Sequence, residues 1–437
     1  MRNGKSKIKF VLFIAFLLLL TLPFIQSEIS LVNVGELEGA FIEKGKPVLT
    51  TKEWISGRFQ LQAEEYINES FGFRNLLVRL NNQIAFSFFS KANADNIVVG
   101  RNNYLYQRPS IHAYFGNNFI GDSRTEERIQ RLKFISDTLS KLNKNLIVVF
   151  GTGKGSYYPE YIPKNLTQQK GSSNLEYHLK YAKKYGIHNI DFNEYLISMK
   201  NSSAYPLYPQ YGIHWSRYGG LLVTDSIIRY IEEIRKVDLP QPIIDTILIG
   251  QPQNEDYDIA GGMNLLFRLK SFDMAYPKIH FETDSGKTKP SLLVIGDSFY
   301  WACQNMDISK AFSKHQFWFY NKRGTAGALK ELSEETKLEM AKEINSFDIV
   351  ILIATEANIP ELGWGFIENT FAYYKGMDAE HLADILLQEE ITFLKERIKT
   401  NPRRMEQIKE LALLNKISVD SMLTLQAIKR AKKKMKM

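Results

Sequence analysis

Ser291-Leu-Leu-Val-Ile-Gly-Asp-Ser-Phe299 decides how this chain is read. Four consecutive apolar residues, 292–295, give the signal of a fully buried strand, and Gly296-Asp297-Ser298 follows with no linker. A strand that is apolar on both faces belongs in a mainly parallel sheet covered by helices. Sheets of that kind bind ligands at the carboxyl ends of their strands. Ser298 emerges at that edge, where a turn into a helix exposes backbone N–H groups that can stabilise an oxyanion while a hydroxyl attacks. The same tripeptide also suits a plain helix start with Asp297 or Ser298 as N-cap.

Working outward, further buried-strand runs lie at 146–150, 315–320 and 349–354, with a short one near 187–190. Helical patterns at 125–143, 174–185, 216–235 and 326–345 alternate with them. Strands alternating with helices predict an α/β fold, a mainly parallel sheet with helices on both faces. Residues 96–106 read as a hairpin around Gly-Arg-Asn-Asn, and 51–90 as helical with a discontinuous apolar face. From Asp378 onward the chain is charged and helix-rich, with Pro402 as its clearest break, so two or three appended helices are expected.

A second block, Tyr211-Gly-Ile-His214-Trp215-Ser-Arg-Tyr-Gly219, puts a histidine at a turn-to-helix junction among Tyr205, Tyr208, Tyr211 and Tyr218. An imidazole there suits a general base titrating near neutrality. A lone histidine is more often structural, so His214 gains weight only beside Ser298.

Together the two blocks resemble the alginate O-acetyltransferase-related (AlgX/AlgJ-like) proteins, circularly permuted relatives of the SGNH (GDSL-type) hydrolases. In that family a His-Trp block precedes the serine block, as here. Gly100-Arg-Asn-Asn-Tyr-Leu-Tyr106 is similar to its hairpin. Lys154, Tyr158, Pro159 and Pro163 fall in the pattern of its Lys/Tyr-Pro loop, and 349–360, with Glu356, resembles its last strand. The resemblance covers roughly 50–375. It implies an SGNH-like domain at 51–375 with Ser298 as nucleophile and His214 as base. It further implies an acyl-enzyme route to O-acetylation of a polysaccharide, or its deacetylation, with no cofactor. A multi-pass membrane O-acyltransferase is the implied acyl-supplying partner. Asp297, Trp215, Tyr158 and Lys154 are candidates for oxyanion or substrate contacts, the lysine for an acidic sugar.

One position departs from the pattern. The family has Asp two residues before this histidine, and here that residue is Gly212. Loss of such an acid costs about 10⁴-fold in a serine triad when nothing replaces it. Three readings stay open: Asp191 or Glu356 replaces the acid, the site works as a Ser–His dyad, or the chain is a catalytically degenerate glycan-binding or assembly protein.

Charge and hydropathy set the location. The net charge is +8, but Arg2, Lys5, Lys7, Lys9 and six residues between Lys429 and Lys436 supply the excess. The middle of the chain is slightly acidic, which argues against nucleic acid as a partner. Residues 10–25 (FVLFIAFLLLLTLPFI) follow the first basic cluster and precede Gln26-Ser27-Glu28, which offers no small-residue cleavage site. Residues 1–27 are therefore expected to be an uncleaved signal anchor, 28–50 a tether and 376–437 a helical basic extension. The positive-inside rule then places the bulk of this single-pass chain in the periplasm. Cys303, the sole cysteine, cannot form an internal disulfide and reads as an inert buried thiol. The histidines show no metal-type spacing, and Gly151-Thr-Gly-Lys-Gly155 lacks the spacing of a phosphate loop.

Overall fold

The computed structural model describes residues 2–39, 45–283, 286–322 and 342–435. In chain order the elements are α1 (Arg2–Ile29), α2 (Thr51–Ile55), α3 (Arg58–Ser70), α4 (Arg74–Phe89), β1 (Ile97–Val99), β2 (Leu105–Gln107), α5 (Arg108–Tyr114), α6 (Asp122–Ser140) and β3 (Asn145–Gly151). Next come α7 (Lys154–Tyr157), α8 (Asn174–Tyr185), β4 (Asn189–Asp191), α9 (Phe192–Ser198), α10 (Arg217–Arg235), β5 (Pro242–Gly250), α11 (Asp258–Gly262), β6 (Met274–Phe281), β7 (Ser291–Gly296), α12 (Trp301–Asn305), β8 (Lys314–Phe319) and β9 (Ile349–Thr355). Helices Phe366–Lys375, Ala379–Lys399, Pro402–Leu414 and Val419–Met435 complete the chain. The helix expected at 326–345 lies for the most part outside the described residues; Ile344–Ser346 is a 3₁₀ turn.

The chain divides into two compact units, Met1–Arg108 with Pro209–Ile213 and Gln251–Asp273, and Pro109–Tyr208 with His214–Gly250 and Met274–Met437. The second contains a five-stranded sheet in the order β4-β3-β9-β7-β8, parallel throughout. β3 runs alongside β9 from Asn145↔Ile349 to Gly151↔Thr355. Leu146, Val148, Leu293, Ile295, Val350 and Leu352 share one core with Ile129, Leu132 and Ile135 of α6 and Leu175 and Ala182 of α8. The alternate residues Ile147, Val149, Leu292, Val294, Ile351 and Ile353 point to the other face and are equally buried. Each such side chain contributes about 1.5–3 kcal/mol on burial, which is why unbroken Val/Ile/Leu runs become central strands.

The strand order reverses around β9: β3 leads outward to β4, whereas β7 leads the other way to β8. The loops after β3, β9 and β7 thus open together at the carboxyl edge, the switch-point position of open α/β sheets. The long antiparallel ribbon of β5 and β6, with a bulge between Ile244 and Thr246, went unread in the sequence, as did the helix Phe366–Lys375 and the short helices α5, α7, α9 and α11.

Three helices end the chain, and Pro402 opens the second behind the Asn401 N-cap, the position where a missing N–H costs nothing. Ile398, Ile408, Ala412, Met422 and Leu423 form their core. Glu390 ties them to the sheet domain through Arg124 (3.1 Å) and takes in Lys434 (3.0 Å), so the basic end is helical as far as Met435.

The first unit contains the β1–β2 hairpin, whose turn at Arg101–Asn103 lies where the sequence put it. The region 51–90 is helical, as three helices broken at Gly57 and at the 71–73 turn. Among the described residues one helix, Lys7–Ile29, is long and apolar enough to cross a membrane, with mean hydropathy 2.6.

Candidate active site

Asp297 is the first residue past β7 and is fully buried. Its Oδ1 accepts the Phe299 N–H (3.1 Å) and so caps the 3₁₀ turn Ser298–Tyr300. Its Oδ2 accepts the Thr355 N–H (2.8 Å), the Thr355 hydroxyl (2.7 Å) and the Asn358 side-chain amide (2.9 Å). A buried carboxylate is costly unless it is hydrogen-bonded, and four donors meet that need. This carboxylate therefore welds the end of β9 to the turn bearing Ser298. Its observed work is to hold the backbone that carries Ser298.

His214 meets the serine beside a cluster of aromatic rings. Its Nε2 lies 2.9 Å from the Ser298 Oγ, within the reach a base needs to take a proton. The neighbours of both residues explain the meeting. Trp215, fully buried, packs edge-on against Phe299 at 5.1 Å and near-perpendicular to Phe192 at 6.1 Å. The His214 ring lies 4.7 Å from Phe299. Ser216 then fixes the backbone: its N–H donates to Leu207 O, its hydroxyl to Pro206 O, and its Oγ caps α10 by accepting the Gly219 N–H.

The remaining sequence candidates fall in several places. Tyr158 donates its hydroxyl to Tyr208 O (3.1 Å), and Tyr157 stacks on Tyr208 at 4.8 Å. Lys154, at the start of α7, is 1% exposed, a poor position for meeting an acidic sugar from solvent. Asp191 caps α9 by accepting the Asn193 and Glu194 N–H groups. Glu356 accepts the Gly153 N–H and the Ser156 hydroxyl, each at 2.8 Å. Burial pushes its carboxyl up to about 7. Both acids, like Asp297, are engaged by groups other than His214. Gly212 has a reason of its own: a β-carbon there would sit 2.3 Å from Glu255 O and 2.9 Å from the Asp256 carbonyl carbon. Backbone occupies the space an aspartate side chain would need.

Tyr320 was missed in the sequence. It follows β8 with φ +48°, a left-handed conformation rare for an aromatic residue. Burial and the Asp297 charge raise its phenol pKa, opposed by a hydrogen-bonding contact with Ser298. Its proton therefore stays on at neutral pH, next to the serine. Tyr320 also begins a run of rings: it packs on Trp364 (5.0 Å) and Phe319 (4.2 Å), and Trp301 packs on Phe319 (5.9 Å) and Phe317 (5.1 Å). Trp301 is 37% exposed. Cys303 is buried, and its thiol is pushed up to about 12, as befits an inert residue. No cluster of three or more metal-ligating side chains occurs among the described residues.

Residues 97–242 match the family model described as "SGNH hydrolase-like domain, acetyltransferase AlgX". The match takes in His214 and ends before Ser298. No curated protein sequence matches the chain. Among solved structures, the O-acetyltransferase domain of Pseudomonas putida AlgJ is 13% identical over 66% of this chain and 98% of its own, with a TM-score of 0.44. Bacillus cereus PatB1 with a sulfonyl adduct is 12% identical over 60% and 97%, at 0.40. Pseudomonas aeruginosa AlgX is 14% identical over 65% and 71%, at 0.40. The family match bears out the AlgX/AlgJ-like resemblance and, with the sheet described above, the SGNH-like α/β fold.

Proposed function

We propose that this chain is an extracytoplasmic polysaccharide O-acetyltransferase that works through an acyl-enzyme on Ser298. The observation that carries the reading is the 2.9 Å approach of His214 Nε2 to Ser298 Oγ at the carboxyl edge of a parallel sheet. The acetyltransferase description of the matched family supports it.

In the first half-reaction the Ser298 hydroxyl attacks the acyl carbon and its proton passes to His214 Nε2. The donor's bond to that carbon breaks, and the leaving group departs with the proton from His214. In the second, a sugar hydroxyl gives its proton to His214 and attacks the same carbon. The Ser298 Oγ–carbon bond breaks, and His214 returns the proton to Ser298. Splitting one transfer into two is the gain of covalent catalysis. Tyr320, whose phenol keeps its proton at neutral pH, is a candidate donor to the acyl oxygen in each tetrahedral intermediate. The rings of Tyr320, Trp364, Phe319 and Trp301 offer faces against which a sugar can stack. Water as acceptor would make the same site an acetylesterase. In this reading α1 is an uncleaved anchor, and a multi-pass O-acyltransferase delivers the acyl group from across the membrane.

Gly212 favours a second reading. With no room for an acid at 212 itself, that reading has the chain serve as a non-catalytic glycan-binding or assembly protein. Intact-mass analysis after treatment with a fluorophosphonate probe separates the two. A single adduct, lost in Ser298→Ala and slowed in His214→Ala, is expected of the enzyme. No adduct on a folded sample, with glycan binding retained in the double variant, would establish the binding protein instead.

A further inference from the structure

The first unit contains a helix that faces the wrong way for a protein in water. On α4, Asn75 donates to Gly35 O (2.9 Å), Arg79 to Val34 O and Glu36 O, and Asn82 to Met263 O (2.9 Å). Phe86, one turn further on, is buried with Val99, Leu105 and Met263. Residues 75, 79, 82 and 86 form one helical stripe, and this mostly polar stripe is the one turned inward. Leu76, Leu77, Leu80, Ile84 and Phe88 are exposed by 38, 48, 42, 44 and 78%. An amphipathic helix of a soluble domain does the reverse, and a contiguous exposed apolar face marks an interaction surface.

A second observation says what that surface meets. The turn leading into α4 is seated on the last turns of α1. Gly72 donates its N–H to Pro23 O (3.1 Å), and a β-carbon at 72 would lie 2.2 Å from that oxygen and 2.5 Å from Gln26 Cβ. The outward stripe therefore starts where the apolar helix ends. If α1 crosses a bilayer, α4 begins at the level of the headgroups. Residues 51–89 carry four bases (Lys52, Arg58, Arg74, Arg79) and four acids (Glu53, Glu64, Glu65, Glu69). Attraction to an anionic surface is thus weak, and apolar insertion would supply the binding.

We propose that α4 lies in the interface of the bilayer that α1 spans, on the side where the rest of the chain emerges, with its Leu/Ile/Phe stripe in the headgroup–acyl boundary. This rests on the anchor reading above and is independent of the chemistry at Ser298.

The test uses the full-length chain in phosphatidylcholine/phosphatidylglycerol vesicles. An environment-sensitive fluorophore is attached at Leu18→Cys, Leu80→Cys or Ile84→Cys; native Cys303, buried, stays unlabelled. Quenching is read with lipids spin-labelled at shallow or deep acyl positions and with aqueous iodide. The expected result is a blue shift and shallow-lipid quenching at 80 and 84, and deep-lipid quenching at 18. Lipid quenching at 18 with iodide quenching at 80 and 84 would overturn the proposal while leaving the anchor in place. Shielding of 80 and 84 from both lipid and iodide would assign the stripe to a second copy of the chain and equally overturn it. Absence of lipid quenching at 18 would remove the anchor itself and this inference with it.

Discussion

At the end of β7 a carboxylate is buried and held by four donors, and Ile295, Phe299 and Tyr300 beside it are buried too. On α4 the hydrogen-bonding Asn75, Arg79 and Asn82 point in together with Phe86, while Leu76, Leu77, Leu80, Ile84 and Phe88 point out. The first arrangement is stable in water by itself, because every cost of desolvation is offset locally. The second leaves apolar area exposed at about 25 cal/mol per Å², and nothing within its unit recovers that. The contrast separates a region whose buried polar group is satisfied locally from one whose apolar face is left uncovered within its own unit.

That contrast can be pressed at four points. His214→Ala should slow the reaction of Ser298 with a fluorophosphonate by about 10²–10⁴-fold, with circular dichroism unchanged; an unaltered rate would reduce the 2.9 Å approach to a structural contact. Asp297→Ala strands four donors and should destabilise the sheet domain by about 3 kcal/mol or more, read as a lower denaturant midpoint. A midpoint equal to wild type would mean that Asp297 is not the weld between β7 and β9. Glu356 supplies a pH signature. Its carboxyl titrates at about 7 in the folded chain against 4.5 when free. The unfolded state therefore loses its proton first, and stability falls as pH rises from about 4.5 to about 7, by up to about 3 kcal/mol. Glu356→Gln should flatten the melting temperature over that window, and a slope preserved in the variant would assign it to another group. The smallest effect belongs to α4: Ile84→Ser should change stability in detergent by no more than about 0.5 kcal/mol. A larger loss would show that the stripe is covered by the protein.

Legibility in the sequence followed the range over which the deciding interactions act. The strands at β3, β7 and β9 were readable because a two-sided apolar run has few other fates. α8 was bounded correctly because Ser173 and Glu176 form a capping box at one end and Gly186 closes the other. Ser298 and His214 stood out through local motifs, and their contact rests on Trp215 and Phe299, each next in the chain to one of the pair. Tyr320 offered no comparable signal. It ends an apolar run like any other strand residue, and only its backbone turn and its contact with Ser298 mark it out. The β5–β6 ribbon pairs across the whole 251–273 segment, with no tight turn to announce it. The inward stripe of α4 depends on carbonyls from 34–36 and 263, which no helical periodicity reveals.

Gly212 also bears on how the chain can change. The Glu255 carbonyl now stands where a β-carbon would have to go. A one-step change to aspartate at 212 is closed: the new side chain meets the backbone before it can reach any imidazole. Movement of the 255–256 backbone would have to come earlier, with no advantage of its own to carry it. Descendants of this chain are expected to keep a glycine at 212 and, if they need an acid, to recruit one from a different loop.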